Sequence, residues 1–246
     1  MRAKMVWLGV AAAVLAAGND MTNQRQAVLV ELFTSEGCSS CPPADALLEK
    51  LDREQPVAGA EIIVLSEHVD YWNQMGWKDP YSSAAFTARQ VTYDRRFGLD
   101  GPYSPQMIVD GTAEFNGSDS QKAAAAIRQA MGEAKVAIRI QDAAIEVDPL
   151  PEGKVHKANV YVAYAADGGT SNVLRGENRG RVLHHVAMVA EIRQIGSISG
   201  HAGFKAQLPV RDAHAGDGSR LIVFVQEPGN GRVWGAIQQS KPKVLR

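Results

Sequence analysis

The sequence has few cysteines, no block of basic residues and no long apolar segment beyond its first residues. Only two of its 246 residues are cysteines, which excludes a zinc site built from four cysteine ligands. The 26 lysines and arginines nearly balance the 27 acidic residues, for a net charge of −1. This balance argues against nucleic acid or an anionic membrane surface as a partner. The chain also lacks internal repeats and low-complexity segments.

The single long apolar run lies at the start of the chain. Arg2 and Lys4 flank its beginning, residues 5–17 are apolar, and small residues follow, a pattern typical of a cleavable secretory signal. About 13 apolar residues are too few to span a bilayer, which needs about 20. We therefore predict a signal peptide at residues 1–20 and a periplasmic or secreted mature protein, without a membrane span. The competing interpretation is a cytosolic chain with a hydrophobic first helix.

The two cysteines, Cys38 and Cys41, enclose only two residues, both serines. An apolar run at residues 27–33 predicts a buried strand before them, and an apolar stripe at residues 44–51 predicts a helix after them. A strand, a Cys-x-x-Cys turn and a helix with proline in its first turn form the sequence pattern of a thioredoxin-like redox site. The helix N-terminus favours a thiolate at Cys38, so we predict that an exposed Cys38 attacks and a more buried Cys41 resolves. The competing interpretation is a structural disulfide, although so short a loop contributes little stability.

The predicted strands and helices differ between the two halves of the chain. Through residue 134 the predicted order is β-α-β-α-β-β-α, and Asp110-Gly111 between two short apolar runs predicts a tight hairpin. From residue 135 onward the sequence contains six strand-like runs and no convincing helix. We therefore predict an α/β thioredoxin-like domain at residues 27–134, followed by an all-β antiparallel sandwich-like domain at residues 135–246.

Several motifs carry a family resemblance. One of them surrounds the cysteines at residues 31–45. The others are His68-Val69-Asp70-Tyr71-Trp72, Trp77-Lys78-Asp79-Pro80, Tyr103-Ser104-Pro105-Gln106-Met107 and Glu177-Asn178-Arg179-Gly180-Arg181. Together they resemble an uncharacterised family of secreted bacterial thioredoxin-like proteins, domain-of-unknown-function family number 1223. The resemblance implies a thioredoxin-like domain followed by a β-rich domain, and it implies no established substrate.

Pro105 lies just before the predicted third strand. Thioredoxin-like proteins carry a cis-proline at that position beside the cysteines, so the resemblance implies that Ser104 and Pro105 position the substrate. The competing interpretation is a trans proline in a loop. His68 follows the second predicted strand at the sheet edge where Cys38 is expected. It is predicted to exchange a proton with Cys41 or to complete a metal site, the alternative being a purely structural histidine.

Other side chains near these motifs have two interpretations each. Tyr71, Trp72 and Trp77 either line a groove for a peptide or small thiol, or fill the interior of their own loop. Glu36 is expected to be a solvated loop charge. His184 and His185 are adjacent, so on a strand they point to opposite faces and are expected to be structural.

The leading hypothesis is an exported thiol–disulfide oxidoreductase or redox-dependent folding factor, acting without a cofactor on a protein or small-molecule thiol. One alternative is a periplasmic copper-binding module that uses Cys38, Cys41 and His68, because soft thiolates with imidazole suit Cu(I). A second alternative is a non-catalytic thioredoxin-like binding protein, whose first half only presents the β-rich half to a partner.

Overall fold

A computed structural model describes residues 25–208 and 219–240 of the protein. The predicted signal peptide at residues 1–20 lies outside these described residues. The first half contains β1 (Gln26–Thr34), α1 (Pro42–Glu54), β2 (Ala60–His68), a short 3₁₀ turn (Asn73–Met75), α2 (Ala84–Phe97), β3 (Gln106–Val109), β4 (Ala113–Asn116) and α3 (Ser120–Met131). The second half contains β5 (Ile138–Gln141), β6 (Ala144–Val147), β7 (Lys157–Asn172), β8 (Val182–Ser199), β9 (Phe204–Gln207), β10 (Ser219–Gln226) and β11 (Val233–Ser240).

The prediction of a thioredoxin-like domain followed by a separate all-β sandwich is wrong. Eight strands from both halves form one mixed sheet, in the order β11-β10-β7-β8-β2-β1-β3-β4. The sheet runs across the boundary predicted near residue 134, because β8 pairs in parallel with β2 where Ser66 faces Met188. The physical reason is that β2 is buried along nearly its whole length, so its outer edge needs backbone partners that only the second half supplies.

The main apolar core draws on both halves of the chain. Leu29 and Ile63 of the first half belong to the same buried cluster as Val186 and Phe224 of the second. The remaining strands, β5, β6 and β9, form a small antiparallel sheet over a second cluster that includes Trp234. Among the described residues no helix has the length and apolar character needed to cross a membrane.

The β3–β4 hairpin predicted at Asp110-Gly111 is present and connects the two halves. Both turn residues have positive φ, 47° at Asp110 and 66° at Gly111, as a tight hairpin turn requires. The Asp110 carboxylate accepts a hydrogen bond of 2.9 Å from the N–H of Leu29 and pairs with the ammonium group of Lys135. Gly111 packs against the β10–β11 turn so closely that an added Cβ would lie 2.1 Å from the carbonyl oxygen of Gly231.

Candidate functional site

The two cysteines lie in the turn that directly precedes α1. Cys38 and Cys41 form a disulfide with a Cα–Cα distance of 5.4 Å. Cys41 is the N-cap residue of α1, and its carbonyl oxygen accepts a 2.8 Å hydrogen bond from the N–H of Ala44. Pro42 and Pro43 occupy the first turn, where a backbone N–H would have no helical partner in any case. The disulfide therefore lies at the positive end of the helix dipole.

The expectation that Cys38 is exposed at the helix tip is wrong. Both cysteines are 0% exposed, while Ser39 and Ser40 between them face solvent. Part of the cover over Cys38 comes from a segment of the second half, which is hydrogen-bonded to the backbone of that cysteine. This segment, which we call the cap loop, comprises residues 173–181 between β7 and β8. Its two ends are joined by a backbone hydrogen bond of 3.0 Å from Val173 to Arg181.

The cap loop contacts the cysteine turn through two consecutive side chains. The buried side-chain amide of Asn178 donates hydrogen bonds of 2.9 Å to the carbonyl oxygens of both Glu36 and Cys38. The exposed carboxylate of Glu177 accepts a 3.2 Å hydrogen bond from the N–H of Ser39. Hydrogen bonds from Ser39 hold the pKa of Glu177 below its usual value. Resemblance alone marked Glu177 and Asn178 in the sequence, without a role.

Ser104 and Pro105 lie beside the disulfide, as the sequence predicts. The Ser104–Pro105 peptide bond is cis, and Pro105 is buried. The Sγ atom of Cys38 lies 3.8 Å from the carbonyl oxygen of Ser104 and 3.3 Å from the Oγ atom of Ser40. The structure thus brings backbone and hydroxyl oxygens to the sulfur that was predicted to attack.

The three aromatic residues proposed as a groove are all partly buried and hold the loops around the cysteines. Trp72 donates a 2.7 Å hydrogen bond from its indole N–H to the hydroxyl of Ser104. Its Cβ atom covers Gly37 so closely that a Cβ on Gly37 would lie 3.0 Å away, which explains the glycine before Cys38. Tyr71 and Trp72 pack against a small buried cluster, and Trp77 bonds to Glu36. These contacts join the aromatic residues to the cysteine turn and to the loop that carries Ser104.

His68 is connected to the cysteine turn through the carboxylate of Asp79. Its Nδ1 atom lies 2.7 Å from the Oδ2 atom of Asp79, which also accepts a 2.8 Å hydrogen bond from the N–H of Glu36. Burial raises the pKa of Asp79, but the hydrogen bond and charge of His68 outweigh burial and hold that pKa below its usual value. His68 and Asp79 are both buried. The predicted neighbourhood of His68 and the cysteines is present, although the contact is indirect.

Glu36 is not the solvated loop charge that the sequence suggested. It is 0% exposed and accepts hydrogen bonds from the indole N–H of Trp77, at 2.7 Å, and from His185, whose Nε2 atom is 3.2 Å away. Burial raises the pKa of Glu36, but hydrogen bonds from His185, Ser171 and Trp77 lower it overall. Because Glu36 is buried, its charge needs a buried partner, and His185 of the second half is that partner.

His185 therefore belongs to the site, which sequence reasoning missed. Its ring lies 4.8 Å from that of His68, centroid to centroid. Burial lowers the pKa of His185, but the hydrogen bond with Glu36 and the charges of Asp45, Glu36 and Asp79 raise it above its usual value. The alternation of side chains along β8 correctly separates buried His185 from exposed His184, but it carries no information about the partner.

Asp45 completes a buried polar cluster beneath the disulfide. It lies one helical turn after Cys41 and accepts a 2.8 Å hydrogen bond from the hydroxyl of Thr34. Burial raises its pKa, despite the opposing charges of His185 and His68. Among the described residues, no group of three histidine, cysteine, aspartate or glutamate side chains is arranged to hold a metal ion.

Comparisons with known proteins place the chain in a family without assigning its chemistry. Residues 29–226 match the model of the family described as "Protein of unknown function (DUF1223)". The chain belongs to this family, as the motifs around the cysteines indicated. The crystal structure of a protein from Agrobacterium tumefaciens is similar, with a TM-score of 0.68, 26% sequence identity and coverage of 89% of this chain and 96% of that one. No curated protein matches the chain.

Proposed function

We propose that the protein is a thiol–disulfide oxidoreductase whose reactive group is the Cys38–Cys41 pair. The observation that carries this proposal is the disulfide itself, formed across one turn at the N-terminus of α1 beside the carbonyl oxygen of Ser104. A disulfide that closes so small a loop contributes little stability. The helix N-terminus stabilises a thiolate, which is both the attacking and the leaving species in exchange. The position of the disulfide and the small size of its ring therefore favour a role in thiol–disulfide exchange over a structural role.

The exchange reaction runs in two balanced steps. A substrate thiolate attacks the Sγ atom of Cys38, the bond to Cys41 breaks, and Cys41 leaves as a thiolate that takes up a proton. A second substrate thiol then loses its proton and attacks the substrate sulfur of the mixed disulfide, which releases Cys38. Two substrate thiols become one disulfide, and the cysteine pair gains two electrons and two protons. In the reverse direction, reduced Cys38 attacks a substrate disulfide and Cys41 resolves the intermediate.

The reduction potential of the cysteine pair tests the proposal. The protein is equilibrated in mixtures of reduced and oxidised dithiothreitol or glutathione, quenched by alkylation, and the modified fraction is measured by mass spectrometry. A redox-active pair should be half reduced at a potential above about −300 mV, whereas structural disulfides lie below about −300 mV. The double variant Cys38→Ser/Cys41→Ser is the control for non-specific alkylation. A pair that resists reduction until the protein unfolds contradicts the proposal.

One observation favours a second candidate, a non-catalytic binding protein in which the disulfide only shapes the cysteine turn. Neither cysteine is exposed, and the cap loop is hydrogen-bonded to the backbone of Cys38. The two candidates differ in turnover. With oxidised glutathione present to reoxidise the cysteine pair, an oxidoreductase at substoichiometric concentration should accelerate disulfide formation in a reduced, unfolded test protein, and a binding protein should not.

Export to the periplasm or beyond is part of the proposal. It rests on the charged and apolar pattern of residues 1–20, which matches a secretory signal. In such a compartment the pair would exist as a disulfide at rest. Expression of the full chain followed by cell fractionation and N-terminal sequencing tests this part: a cytosolic protein with an intact N-terminus contradicts it.

A further inference from the structure

The cap loop is rich in exposed positive charge. Arg175, Arg179 and Arg181 are all exposed, and none of them forms an ion pair with another residue in the part of the chain that the structure describes. Lys78 is exposed nearby, since Gly176 packs so closely on Trp77 that an added Cβ would lie 3.2 Å from the Cβ atom of that tryptophan. This concentration of basic side chains stands out in a protein of net charge −1. It favours a partner that carries carboxylates.

The acidic residue of the cap loop already places a carboxylate beside the disulfide. Glu177 accepts the N–H of Ser39, the residue that follows Cys38, at 3.2 Å. A carboxylate is favoured there because the N–H lies beside the positive end of α1. Glu177 is itself exposed, so a carboxylate from outside can exchange with it. Glu177 thus occupies a position that suits an acidic group of a substrate.

Exposed apolar side chains surround the same loop. Among the described residues, the large apolar side chains that are more than half exposed are Met75 at 55%, Leu174 at 69% and Val182 at 54%. Leu174 belongs to the cap loop, Val182 directly follows it, and the carbonyl oxygen of Met75 lies 3.3 Å from a Cβ built on Gly176. Exposed apolar side chains grouped around a site are typical of a polypeptide-binding surface. Recognition of a small thiol would not require these apolar side chains.

We propose that the cap loop is the recognition element of the redox site and selects cysteines of polypeptides that are flanked by acidic residues. An acidic side chain of the substrate replaces Glu177 at the N–H of Ser39, and the arginines of the cap loop hold the substrate. The same exchange lifts Asn178 from the carbonyl oxygen of Cys38 and uncovers the disulfide. The inference rests on the proposed function and adds to it the class of substrate.

Three peptides that differ only beside their single cysteine test the inference. The cysteine is flanked by two glutamates, two glutamines or two lysines, and stopped-flow measurements give the rate at which each peptide reduces the disulfide of the intact protein. Rates are compared at equal thiolate concentration, because flanking charges change the pKa of the peptide cysteine. We expect the glutamate peptide to react about tenfold faster than the glutamine peptide, which corresponds to about 1.4 kcal/mol. The lysine peptide should be the slowest, and the differences should shrink in 1 M salt, where the screening length is about 3 Å.

A matched pair of variants shows whether the cap loop causes the preference. The triple variant Arg175→Gln/Arg179→Gln/Arg181→Gln should lose the preference for the glutamate peptide. The control Arg53→Gln/Arg95→Gln/Arg128→Gln makes the same change of charge at exposed arginines on the three helices and should keep it. If the first variant does not fold, the salt dependence of the unmodified protein decides the question in its place.

The outcomes separate this inference from the proposed function. Equal rates for the three peptides, with rapid reduction by dithiothreitol, overturn the inference and leave the oxidoreductase proposal intact. A preference that the control variant also loses overturns the role of the cap loop. Reduced glutathione, a small thiol with carboxylates, should react no faster than the glutamine peptide; a faster reaction overturns the assignment to polypeptides. A disulfide that even dithiothreitol cannot reduce in the folded protein removes both proposals.

Discussion

The side-chain amide of Asn178 lies 2.9 Å from the carbonyl oxygen of Cys38, although 140 residues separate the two in the chain. Through this contact, a loop of the second half covers a disulfide that lies in the first. The accessibility of the disulfide therefore depends on a segment outside the strand and helix that carry it. Asn178 also bonds to the carbonyl oxygen of Glu36, so a single side chain holds both ends of the turn before the disulfide.

Removal of Asn178 should open the site. We expect Asn178→Ala to increase the rate of reduction by dithiothreitol about thirtyfold, because it removes two hydrogen bonds worth about 1 kcal/mol each. Asn172→Ala is a suitable control, since Asn172 is exposed at the end of β7 next to the cap loop. Thermal unfolding of both oxidised variants shows whether the change is local. An unchanged reduction rate in Asn178→Ala would mean that the cap loop does not limit access.

The two cysteines should have different roles in exchange. We expect Cys41→Ser to accumulate mixed disulfides at Cys38, because the attack that would release the substrate is missing. Cys38→Ser should accumulate few, because Cys41 is assigned the resolving and not the attacking role. Non-reducing electrophoresis and mass spectrometry of the two variants, each purified after export, measure the difference. Trapping that is equal in both variants, or stronger in Cys38→Ser, contradicts the assignment.

Local patterns predicted the parts of the site that are close in sequence. The spacing of Cys38 and Cys41 indicated a pair at a helix start, and Asp110-Gly111 indicated a hairpin, because each depends on a few neighbouring residues. Resemblance added Ser104 and Pro105. These predictions need no knowledge of how the two halves of the chain meet.

Contacts between the halves could not be predicted in this way. The contact of Glu36 with His185 spans 149 residues, and the pairing of β2 with β8 rests on backbone groups that every residue carries. Alternating strands in the second half fit a separate sandwich as well as an extension of the first sheet. The contact of Asn178 with Cys38 spans 140 residues in the same way, which is why the expected exposure of Cys38 was wrong.

The close packing of the two halves at Gly111 should be measurable as stability. We expect Gly111→Ala to lower the free energy of unfolding by about 1–3 kcal/mol more than Gly153→Ala, the range observed for overpacking. Both glycines have positive φ, 66° and 70°, so each substitution carries a similar backbone cost. An added Cβ would lie 2.1 Å from the carbonyl oxygen of Gly231 in the first case and has nothing within 4 Å in the second. Urea unfolding of the oxidised variants checks this, and equal losses would show that the turn moves aside freely.

The pair formed by Glu36 and His185 should make stability depend on pH. Attraction within the pair lowers the pKa of Glu36 from 4.5 and raises that of His185 from 6.5, although burial opposes both shifts. Lowering the pKa of Glu36 stabilises the fold above about pH 4.5, and this contribution is lost as pH falls through the folded-state value. Raising the pKa of His185 stabilises the fold below about pH 6.5, and that contribution is lost as pH rises through its folded-state value. The two contributions are therefore present together between about pH 4.5 and 6.5.

Substitution of His185 tests this pH dependence. His185→Leu leaves Glu36 buried without its charged partner and should lower the free energy of unfolding by about 3 kcal/mol near pH 5.5, the cost of breaking a buried ion pair. The loss should become smaller as pH rises through the folded-state pKa of His185, because the unmodified protein itself then loses the contribution of that histidine. His184→Leu is the matched control, because that neighbouring histidine is exposed. This substitution should lower the free energy of unfolding by less than about 0.5 kcal/mol. Urea unfolding from pH 4 to pH 8 measures both variants against the unmodified protein, and a loss in His185→Leu that is the same at every pH would show that the histidine acts through packing alone.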